Sequence, residues 1–404
     1  MKYIIIIGDG CADLPIDALG GKTPLEYANT PNMDRLCALG EIGRAKTVPN
    51  GVPAGSDTAI LSIFGYDPRK YYTGRSPLEA AGSGMELFDG EISFRTNVVA
   101  LSGAPVFEDK IIFSHSGGNV EGDESIALME ALLADEKFLE LMKPLSMRFK
   151  LNPSFRHVSA ISGIDKVEYQ TPPHDIVNRR IGDYLPNDEV SLMLRALMKR
   201  AYEVMNDHPV NIRRREKGLL AANSLWFWGE GKAITLPNFV KKLGKTCKAI
   251  TAVPLVSGIA ALGGLSSVEV EGATGDIDTN YEGKAKAALK VLEEGTDMVV
   301  IHIEAPDECS HAGDMEGKIK AIENIDKYIV GPAAQGVKDD LRLLYLSDHP
   351  TLLSTRTHDG APVPFFIYDS RVLQGCGKTF GETNADKGVY IEEGSTLIER
   401  LLEK

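Results

Sequence analysis

The chain has 404 residues and a formal net charge of -13, and its composition is 43% hydrophobic and 25% charged. That composition is typical of a globular protein, and a length beyond roughly 250–300 residues favours two domains over one. The negative charge argues against a nucleic-acid or anionic-membrane partner, since either requires a basic surface. No apolar run reaches the roughly 20 residues of a membrane span, so we expect a cytoplasmic protein.

Short apolar runs alternate with amphipathic segments along the chain. The apolar runs predict buried strands at 3–8, 298–303, 341–346 and 364–368. The amphipathic segments predict helices at 34–39, 56–63, 281–294 and 318–329. Strands that are apolar on both faces are typical of a parallel sheet covered by helices. The pattern therefore predicts an α/β fold with a mostly parallel sheet flanked by helices.

The middle of the chain has a different pattern of predicted secondary structure. It contains the strand-like FRTNVVAL and KIIFS, the Gly-rich HSGGNVEGD and a helical pattern at 191–205. The strands that end in polar, metal-type residues lie near the two extremities of the sequence. We therefore expect a discontinuous core domain at 1–90 and 236–404, with a smaller α+β domain inserted at 91–235.

Two of the predicted strands end in a carboxylate and an imidazole. The run VVIHI leads into Asp307 and, four residues later, His311, while LRLLYL leads into Asp348 and His349. The carboxyl ends of parallel strands open into a crevice where ligands bind. Aspartate oxygens and histidine nitrogens together suit Zn²⁺, Mn²⁺ or Fe²⁺. The pattern predicts a divalent metal site and therefore a metalloenzyme.

Two further residues are candidate metal ligands. Asp9 follows a strand of four isoleucines, and we favour a ligand there over a solvated strand end because that edge faces the crevice. His358 precedes the strand at 364–368, so its loop can return to the same edge. The alternative for His358 is a surface histidine, but histidine is also the commonest metal-binding side chain.

Ser56 is the candidate nucleophile. It starts an apolar-periodic segment directly after the Gly- and Pro-rich residues 49–55, which places it at a helix N-terminus, where free N–H groups favour anions. The alternative is a serine that only caps the helix. A nearby metal favours the nucleophile, since metal coordination activates a hydroxyl that is otherwise a weak nucleophile.

In chain order, the sequence has an Asp after the first strand, a Ser at a helix start, Asp-x-x-x-His, Asp-His and a final His. This order of residues resembles that of the alkaline phosphatase superfamily. More narrowly, the chain is similar to the archaeal-type, 2,3-bisphosphoglycerate-independent phosphoglycerate mutase family, and this likeness covers nearly its whole length. The resemblance rests on GDGCADLP, TPNMDRL, GSDTAILSIFGYDPRKYYTGRSPLEA, HPVN, GATGDIDTNYEGKA, EAPDECSHAGD, SDHPT and THDGAPVPF. It implies an alkaline-phosphatase-like sheet with an inserted smaller domain.

The resemblance also implies two divalent metal ions, Mn²⁺ first and Mg²⁺, Zn²⁺ or Co²⁺ as alternatives. It assigns one ion to Asp307, His311 and His358, and the other to Asp9, Ser56, Asp348 and His349. Ser56 would take the phosphoryl group of 3-phosphoglycerate and return it to the 2-hydroxyl of the retained glycerate. This is an isomerase reaction of glycolysis and gluconeogenesis, and it depends mainly on positioning and charge neutralisation.

A substrate with a phosphate and a carboxylate requires cationic side chains, preferably arginines that bind in a bidentate manner. The inserted domain is expected to supply them and to close as a lid that excludes water. The candidates are Arg156, Arg213, Arg214 and Lys232 in the insert, with Arg75 and Lys284 on the core-domain side.

The sequence departs from the family pattern in its substrate-facing half. FSHSGGNVEGD stands where a motif beginning Asp-Arg or Asp-Tyr is expected, and Pro254 stands where the family often has Asp. These changes keep a second hypothesis open, a homoserine kinase-like phosphotransferase of the same branch. A non-catalytic binding protein is the third hypothesis, and the complete set of candidate ligands argues against it.

Overall fold

The computed structural model describes residues 1–372 and 374–403. The chain forms two compact units: Met1–Tyr72 with the chain from Thr235 onward, and Thr73–Ile234. We predicted that residues 73–90 belong to the first domain, but they group with the second unit. The reason is that the helix Ser76–Gly82 packs on the strand Ile92–Leu101 of that unit.

The strands are numbered in chain order. They are β1 Lys2–Gly8, β2 Glu41–Ala45, β3 Ile92–Leu101, β4 Ile112–Ser114, β5 Arg148–Lys150, β6 Arg156–Ile161, β7 Ser224–Lys232, β8 Cys247–Ile250, β9 Ser266–Val268, β10 Met298–Ile303, β11 Leu341–Leu346, β12 Thr351–Leu352, β13 Thr357–His358, β14 Val363–Asp369 and β15 Val389–Ile391.

The α-helices are numbered in the same way. They are α1 Pro24–Tyr27, α2 Pro31–Ala38, α3 Ser56–Ile63, α4 Pro68–Tyr71, α5 Ser76–Gly82, α6 Gly122–Leu133, α7 Glu136–Met142, α8 Glu189–Met205, α9 Pro209–Glu216, α10 Phe239–Leu243, α11 Pro254–Leu262, α12 Tyr281–Glu293, α13 Ala305–Ala312, α14 Met315–Ile325, α15 Gly331–Gly336, α16 Glu382–Ala385 and α17 Leu397–Leu402. No helix in the described ranges has both the length and the apolar character needed to cross a bilayer.

The first unit is built on an eight-stranded sheet in the order β15-β2-β14-β11-β1-β10-β8-β9. β1 pairs in parallel with β10 and β11 on either side, and β8 and β9 continue the parallel pairing. The four isoleucines of β1 are fully buried, because helices cover both faces of the sheet. The predicted mostly parallel α/β sheet is confirmed, and β1, β10 and β11 all end at one edge.

One strand of this sheet runs opposite to the prediction. We expected residues 364–368 to form another parallel strand, but β14 is antiparallel to β11 and to β2. A parallel return requires a crossover, usually a helix, whereas the chain between β11 and β14 carries only the hairpin of β12 and β13. β14 consequently begins at the edge where its neighbours end, which brings the hairpin back over that edge.

The second unit contains an antiparallel sheet in the order β4-β3-β6-β5, with β7 also paired to β3. One face of the sheet packs on α6, α7 and α8. On the other face, Val158 and Ala160 of β6 pack against Ala80 of α5. Arg95 of β3 pairs with Val158 across the strands, so it lies on this second face.

Candidate metal centre and nucleophile

The edge where β1, β10 and β11 end carries clustered carboxylates and imidazoles. Two groups of three side chains place their ligand atoms within 4.8 Å of one another: Asp307, His311 and His358, and Asp9, Asp307 and His349. Asp348 lies beside the second group, with its Oδ2 3.3 Å from His349 Nε2. Asp307 belongs to both groups, whereas the family resemblance assigned it to one ion.

Two buried carboxylate oxygens in this cluster show that its chemistry fits a cation. Asp9 Oδ1 and Asp348 Oδ2 have no hydrogen-bond donor within the described part of the chain, although both residues are buried. Burial, followed by the charges of Asp348 and Asp307, raises the pKa of Asp9 well above its ordinary value. Uncompensated buried charges are costly, so a divalent ion between these oxygens would stabilise them.

The first group, Asp307, His311 and His358, meets the same test through its imidazoles. His311 Nδ1 donates to the Arg356 carbonyl at 2.9 Å, which leaves His311 Nε2 3.0 Å from His358 Nε2 and 3.2 Å from Asp307 Oδ2. Burial alone would raise the pKa of Asp307, but hydrogen bonds with His311 and His358 hold it well below its usual range. Two imidazole nitrogens this close require a shared proton or a bound cation.

Ser56 is the first residue of α3, and its side chain faces the metal-type residues. Gly55 occupies the N-cap position and makes no side-chain capping bond, so the interpretation of Ser56 as a capping serine is wrong. The Ser56 hydroxyl donates to Asp9 Oδ2 at 3.4 Å and lies 3.1 Å from His349 Nε2. The hydroxyl therefore sits beside the carboxylate oxygens that need a cation, at the positive end of a helix.

His302 was missed by sequence reasoning. Its Nε2 donates to Asp9 Oδ2 at 2.9 Å, while its Nδ1 lies 3.2 Å from Thr251 Oγ1. Burial, and then the charge of Lys284, lowers the pKa of His302 to about 3, so the ring is neutral and holds Asp9 by hydrogen bonding. The available signal was a histidine within an otherwise apolar strand, since buried polar side chains have partners.

Lys284, a predicted substrate contact, is buried in the first unit. Its Nζ donates to the His302 carbonyl at 3.1 Å, and burial lowers its pKa to about 8. This contact supports the end of β10 behind Asp9. A direct contact between Lys284 and substrate remains a prediction.

In the second unit, two of the predicted substrate residues, Arg75 and Arg156, contribute to one cluster of charge. We predicted Arg75 on the core-domain side, but it lies in the second unit. Arg75 Nε and Arg95 Nε each lie 2.9 Å from a different oxygen of the buried Glu79. Burial would raise the pKa of Glu79, but Arg95, then Arg75 and Arg156, lower it to about 2. Three guanidinium groups around one carboxylate leave an excess of positive charge.

Arg95, which we did not predict, is the most buried arginine of this cluster. Its Cζ lies 4.0 Å from the centroid of the Trp228 ring, and the His174 ring packs on Trp228 at 5.1 Å. Burial lowers the pKa of Arg95 to about 9, against the opposing effect of Glu79. The sequence feature that could have identified Arg95 is the presence of an arginine within the apolar strand FRTNVVAL.

The other predicted cationic residues of the insert have different surroundings. Arg214 is buried and donates to Glu124 and to the carbonyls of Gly117 and Gly118, so its guanidinium holds a turn of the second unit. Arg213 and Lys232 are exposed. Substrate contacts for these three side chains remain predictions.

Gly10 leads to a testable consequence for the centre. Its φ is +62°, and a Cβ there would lie 2.7 Å from Thr351 Oγ1 and 2.8 Å from Asp307 Cα. Gly10→Ala is therefore expected to displace Asp307 and to weaken Mn²⁺ binding as well as lower the melting temperature. Gly21→Ala is the control, because Gly21 has φ +78° but no atom within 4 Å of its Cβ position.

The control substitution should cost only the strain of an L-residue in the left-handed conformation, roughly 1–2 kcal/mol. The measurements are thermal unfolding and Mn²⁺ titration of both variants. Equal effects of the two substitutions on Mn²⁺ affinity would show that the close approach of Gly10 to Asp307 does not matter.

Comparisons with known proteins show which family this chain resembles. Residues 38–211 match the model of the family described as 2,3-bisphosphoglycerate-independent phosphoglycerate mutase. The enzyme of that name from Methanothrix thermoacetophila is 42% identical over 408 residues, which cover 100% of both chains.

Solved structures resemble the chain over nearly its whole length. A protein of Pyrococcus horikoshii superposes with a TM-score of 0.80 at 32% identity, covering 99% of this chain and 96% of that one. The cofactor-independent phosphoglycerate mutase of Thermoplasma acidophilum gives a TM-score of 0.65 at 26% identity, covering 100% and 99%. On the evidence of full-length identity above 40%, this chain belongs to the 2,3-bisphosphoglycerate-independent phosphoglycerate mutase family.

Proposed function

We propose that the chain interconverts 3-phosphoglycerate and 2-phosphoglycerate without a bisphosphoglycerate cofactor. The observation that carries this proposal is the Ser56 hydroxyl, which lies 3.1 Å from His349 Nε2 and 3.4 Å from Asp9 Oδ2. The names of the full-length relatives point to the same reaction. The homoserine kinase-like and non-catalytic alternatives have no comparable support.

We propose two divalent ions for this centre, Mn²⁺ first and Mg²⁺, Zn²⁺ or Co²⁺ next. One group of ligands would be Asp307, His311 and His358, and the other Asp9, Ser56, Asp348 and His349. Bound there, such ions would lower the pKa of the serine hydroxyl and neutralise phosphate charge. A set of carboxylates and imidazoles suits Mn²⁺.

The chain's own residues then divide the reaction into two transfers. Ser56 Oγ forms a bond to the phosphorus of 3-phosphoglycerate while the bond from phosphorus to the 3-oxygen breaks. The hydroxyl proton is directed at Asp9 Oδ2, which can pass it to the departing 3-oxygen. In the second transfer the 2-hydroxyl oxygen of the same glycerate forms a bond to phosphorus while the bond from phosphorus to Ser56 Oγ breaks, and the 2-hydroxyl proton passes by way of Asp9 Oδ2 to Ser56 Oγ.

The glycerate must stay bound between the two transfers, and water must be kept away from the phosphoserine. We propose that the second unit meets this need through Arg75, Arg95 and Arg156. Their excess of positive charge around Glu79 suits a ligand that carries a carboxylate or a phosphate.

Loss of one of these arginines should loosen retention of the glycerate. Arg95→Met is expected to raise the ratio of free phosphate to 2-phosphoglycerate about tenfold or more, because a charged hydrogen bond is worth about 1.5–3 kcal/mol. Arg215→Met is the control, since Arg215 is exposed on α9 and bonds Asp207 and the Asn206 carbonyl. Both products are measured after a fixed extent of reaction.

Arg95→Lys separates charge from folding in this test. It keeps a positive charge beside Glu79 and should fold even if Arg95→Met is unstable, yet it loses the planar guanidinium. We expect an intermediate ratio for Arg95→Lys. A ratio equal to that of the parent in both Arg95 variants would remove the second unit's cluster from the proposal.

The function is tested by incubating the protein with 3-phosphoglycerate and Mn²⁺ in the absence of 2,3-bisphosphoglycerate, and then with homoserine and ATP. We expect 2-phosphoglycerate and little free phosphate from the first mixture, and no product from the second. Free phosphate as the main product, or phosphorylation of homoserine alone, would overturn the mutase and leave only a metal-dependent phosphotransferase.

We further propose a cytoplasmic protein whose partner is a small phosphorylated molecule. The net charge of -13 argues against nucleic-acid and anionic-membrane partners, while the arginine cluster would provide a local site for anions on the second unit.

A further inference from the structure

One threonine side chain touches both groups of candidate metal ligands. Thr351 is fully buried, and its Oγ1 lies 2.5 Å from Asp307 Oδ1 and 3.2 Å from His349 Nδ1. We propose that Thr351 is a positioning residue that fixes the Asp307 carboxylate and the His349 ring relative to each other. The inference rests on the proposed two-metal function and deepens it.

The chemistry of these three groups sets the direction of both hydrogen bonds. An ionised carboxylate can only accept, and a hydroxyl has one proton to give. Thr351 Oγ1 therefore donates to Asp307, and the same oxygen accepts from His349 Nδ1–H. The other nitrogen, His349 Nε2, then presents its lone pair on the side of Ser56 Oγ, 3.1 Å away.

The orientation of a metal-binding imidazole is ordinarily set by the partner of its second nitrogen. Here that partner is a hydroxyl rather than a carboxylate or carbonyl, and the hydroxyl is shared with Asp307. One side chain thus makes the geometry of His349 depend on that of Asp307, a residue of both candidate groups.

A buried lysine holds the backbone of Thr351. Lys318 Nζ donates to the Thr351 carbonyl at 2.8 Å, to Asp13 Oδ2 at 2.8 Å and to the Ala12 carbonyl at 3.4 Å. All three ammonium protons are therefore used, and Lys318 is fully buried. The Thr351 N–H also donates to the Ala12 carbonyl at 3.3 Å, so Thr351 is tied to the loop that follows Asp9.

The hairpin adds a further restraint. Thr351 of β12 pairs with His358 of β13, so the backbone of Thr351 is also in register with a ligand of the first group. With the backbone fixed from both sides, the direction of the hydroxyl depends on χ1 alone, and β-branched side chains have few χ1 rotamers.

Two substitutions separate positioning from simple packing. Thr351→Val keeps the shape of the side chain and removes the hydroxyl, whereas Thr351→Ser keeps the hydroxyl and removes the methyl group. If Thr351 positions the ligands, Thr351→Val should weaken Mn²⁺ binding and Thr351→Ser should preserve it. If Thr351 only fills space, Thr351→Ser should weaken Mn²⁺ binding at least as much as Thr351→Val.

The test is Mn²⁺ titration of the chelator-treated parent, Thr351→Val and Thr351→Ser proteins, with free Mn²⁺ followed by electron paramagnetic resonance. Loss of a group that orients a metal ligand typically weakens affinity by about 10–100-fold. We expect at least about a tenfold loss for Val and a value within about threefold of the parent for Ser. Melting temperatures of the metal-free proteins and the separate kcat and KM values are recorded alongside.

Parent-like Mn²⁺ affinity in Thr351→Val would overturn the inference while the proposed function stands, and so would a Ser variant that binds Mn²⁺ as weakly as Val. A Val variant that does not fold leaves the decision to the Ser variant, whose parent-like affinity is required. A parent protein that binds no Mn²⁺ would overturn both the inference and the proposed metal centre.

Discussion

Ser56→Ala is expected to abolish the interconversion of phosphoglycerates. It should leave intact the fold and the binding of Mn²⁺ by Asp307, His311 and His358. The hydroxyl is the only part removed, and alanine has the highest helix propensity, so α3 should form as before. The N-cap of α3 is Gly55, so no capping bond is lost. Without the hydroxyl, the route through a phosphoserine does not exist.

The measurements are the rate of 2-phosphoglycerate formation, the melting temperature and the mass of the protein after an acid quench. Ser62→Ala is the matched control, because Ser62 is a buried serine of the same helix and lies outside the candidate site. We expect a phosphorylated species in the parent and in Ser62→Ala, and none in Ser56→Ala. Near-normal turnover of Ser56→Ala would refute the assignment of the nucleophile.

Removal of divalent metal is expected to inactivate the protein, and added Mn²⁺ is expected to restore it. Asp9 Oδ1 and Asp348 Oδ2 are buried without a donor among residues 1–372 and 374–403, so the cluster depends on a cation for charge balance. Stripping the metal should also lower the melting temperature, since a ligand that binds only the folded state stabilises it. Metal content, melting temperature and rate are followed together through a titration with a chelator.

Asp348→Asn provides the corresponding substitution, because it removes one charge and nearly keeps the shape of the side chain. Asp34→Asn is the control, since Asp34 lies on α2, accepts from the Phe380 N–H and is outside both candidate groups. Only Asp348→Asn should weaken Mn²⁺ binding. Full activity in a sample shown to contain no metal would contradict the two-metal proposal.

Much of the first unit's fold could be predicted from the sequence. The predicted strands 298–303 and 341–346 and the helix 56–63 coincide with β10, β11 and α3, because continuous apolar runs and a Gly- and Pro-rich lead-in are strong local signals. The metal-type residues followed from the same signals, since the carboxyl ends of parallel strands meet at one edge.

Other features depend on contacts that a single sequence does not reveal. An apolar run has no direction, so the reversal of β14 was not predictable from its composition. The sequence of helix α5 does not indicate which hydrophobic core the helix packs against. Residues 73–90 were therefore assigned to the first domain, although they belong to the second unit. His302 was missed because its partners Asp9 and Thr251 are distant in sequence. Thr351 was missed because its contact with Asp307 joins residues far apart in the chain.

The most direct measurement of the central proposal is an isotope crossover experiment. Unlabelled 3-phosphoglycerate is mixed with 3-phosphoglycerate that carries ¹³C in the glycerate and ¹⁸O in the phosphate, and the masses of the 2-phosphoglycerate products are recorded at low conversion. If Ser56 returns the phosphoryl group to the glycerate it came from, only fully labelled and unlabelled products will form. Products that combine labelled glycerate with unlabelled phosphate would contradict a retained glycerate, and the absence of 2-phosphoglycerate would contradict the mutase itself.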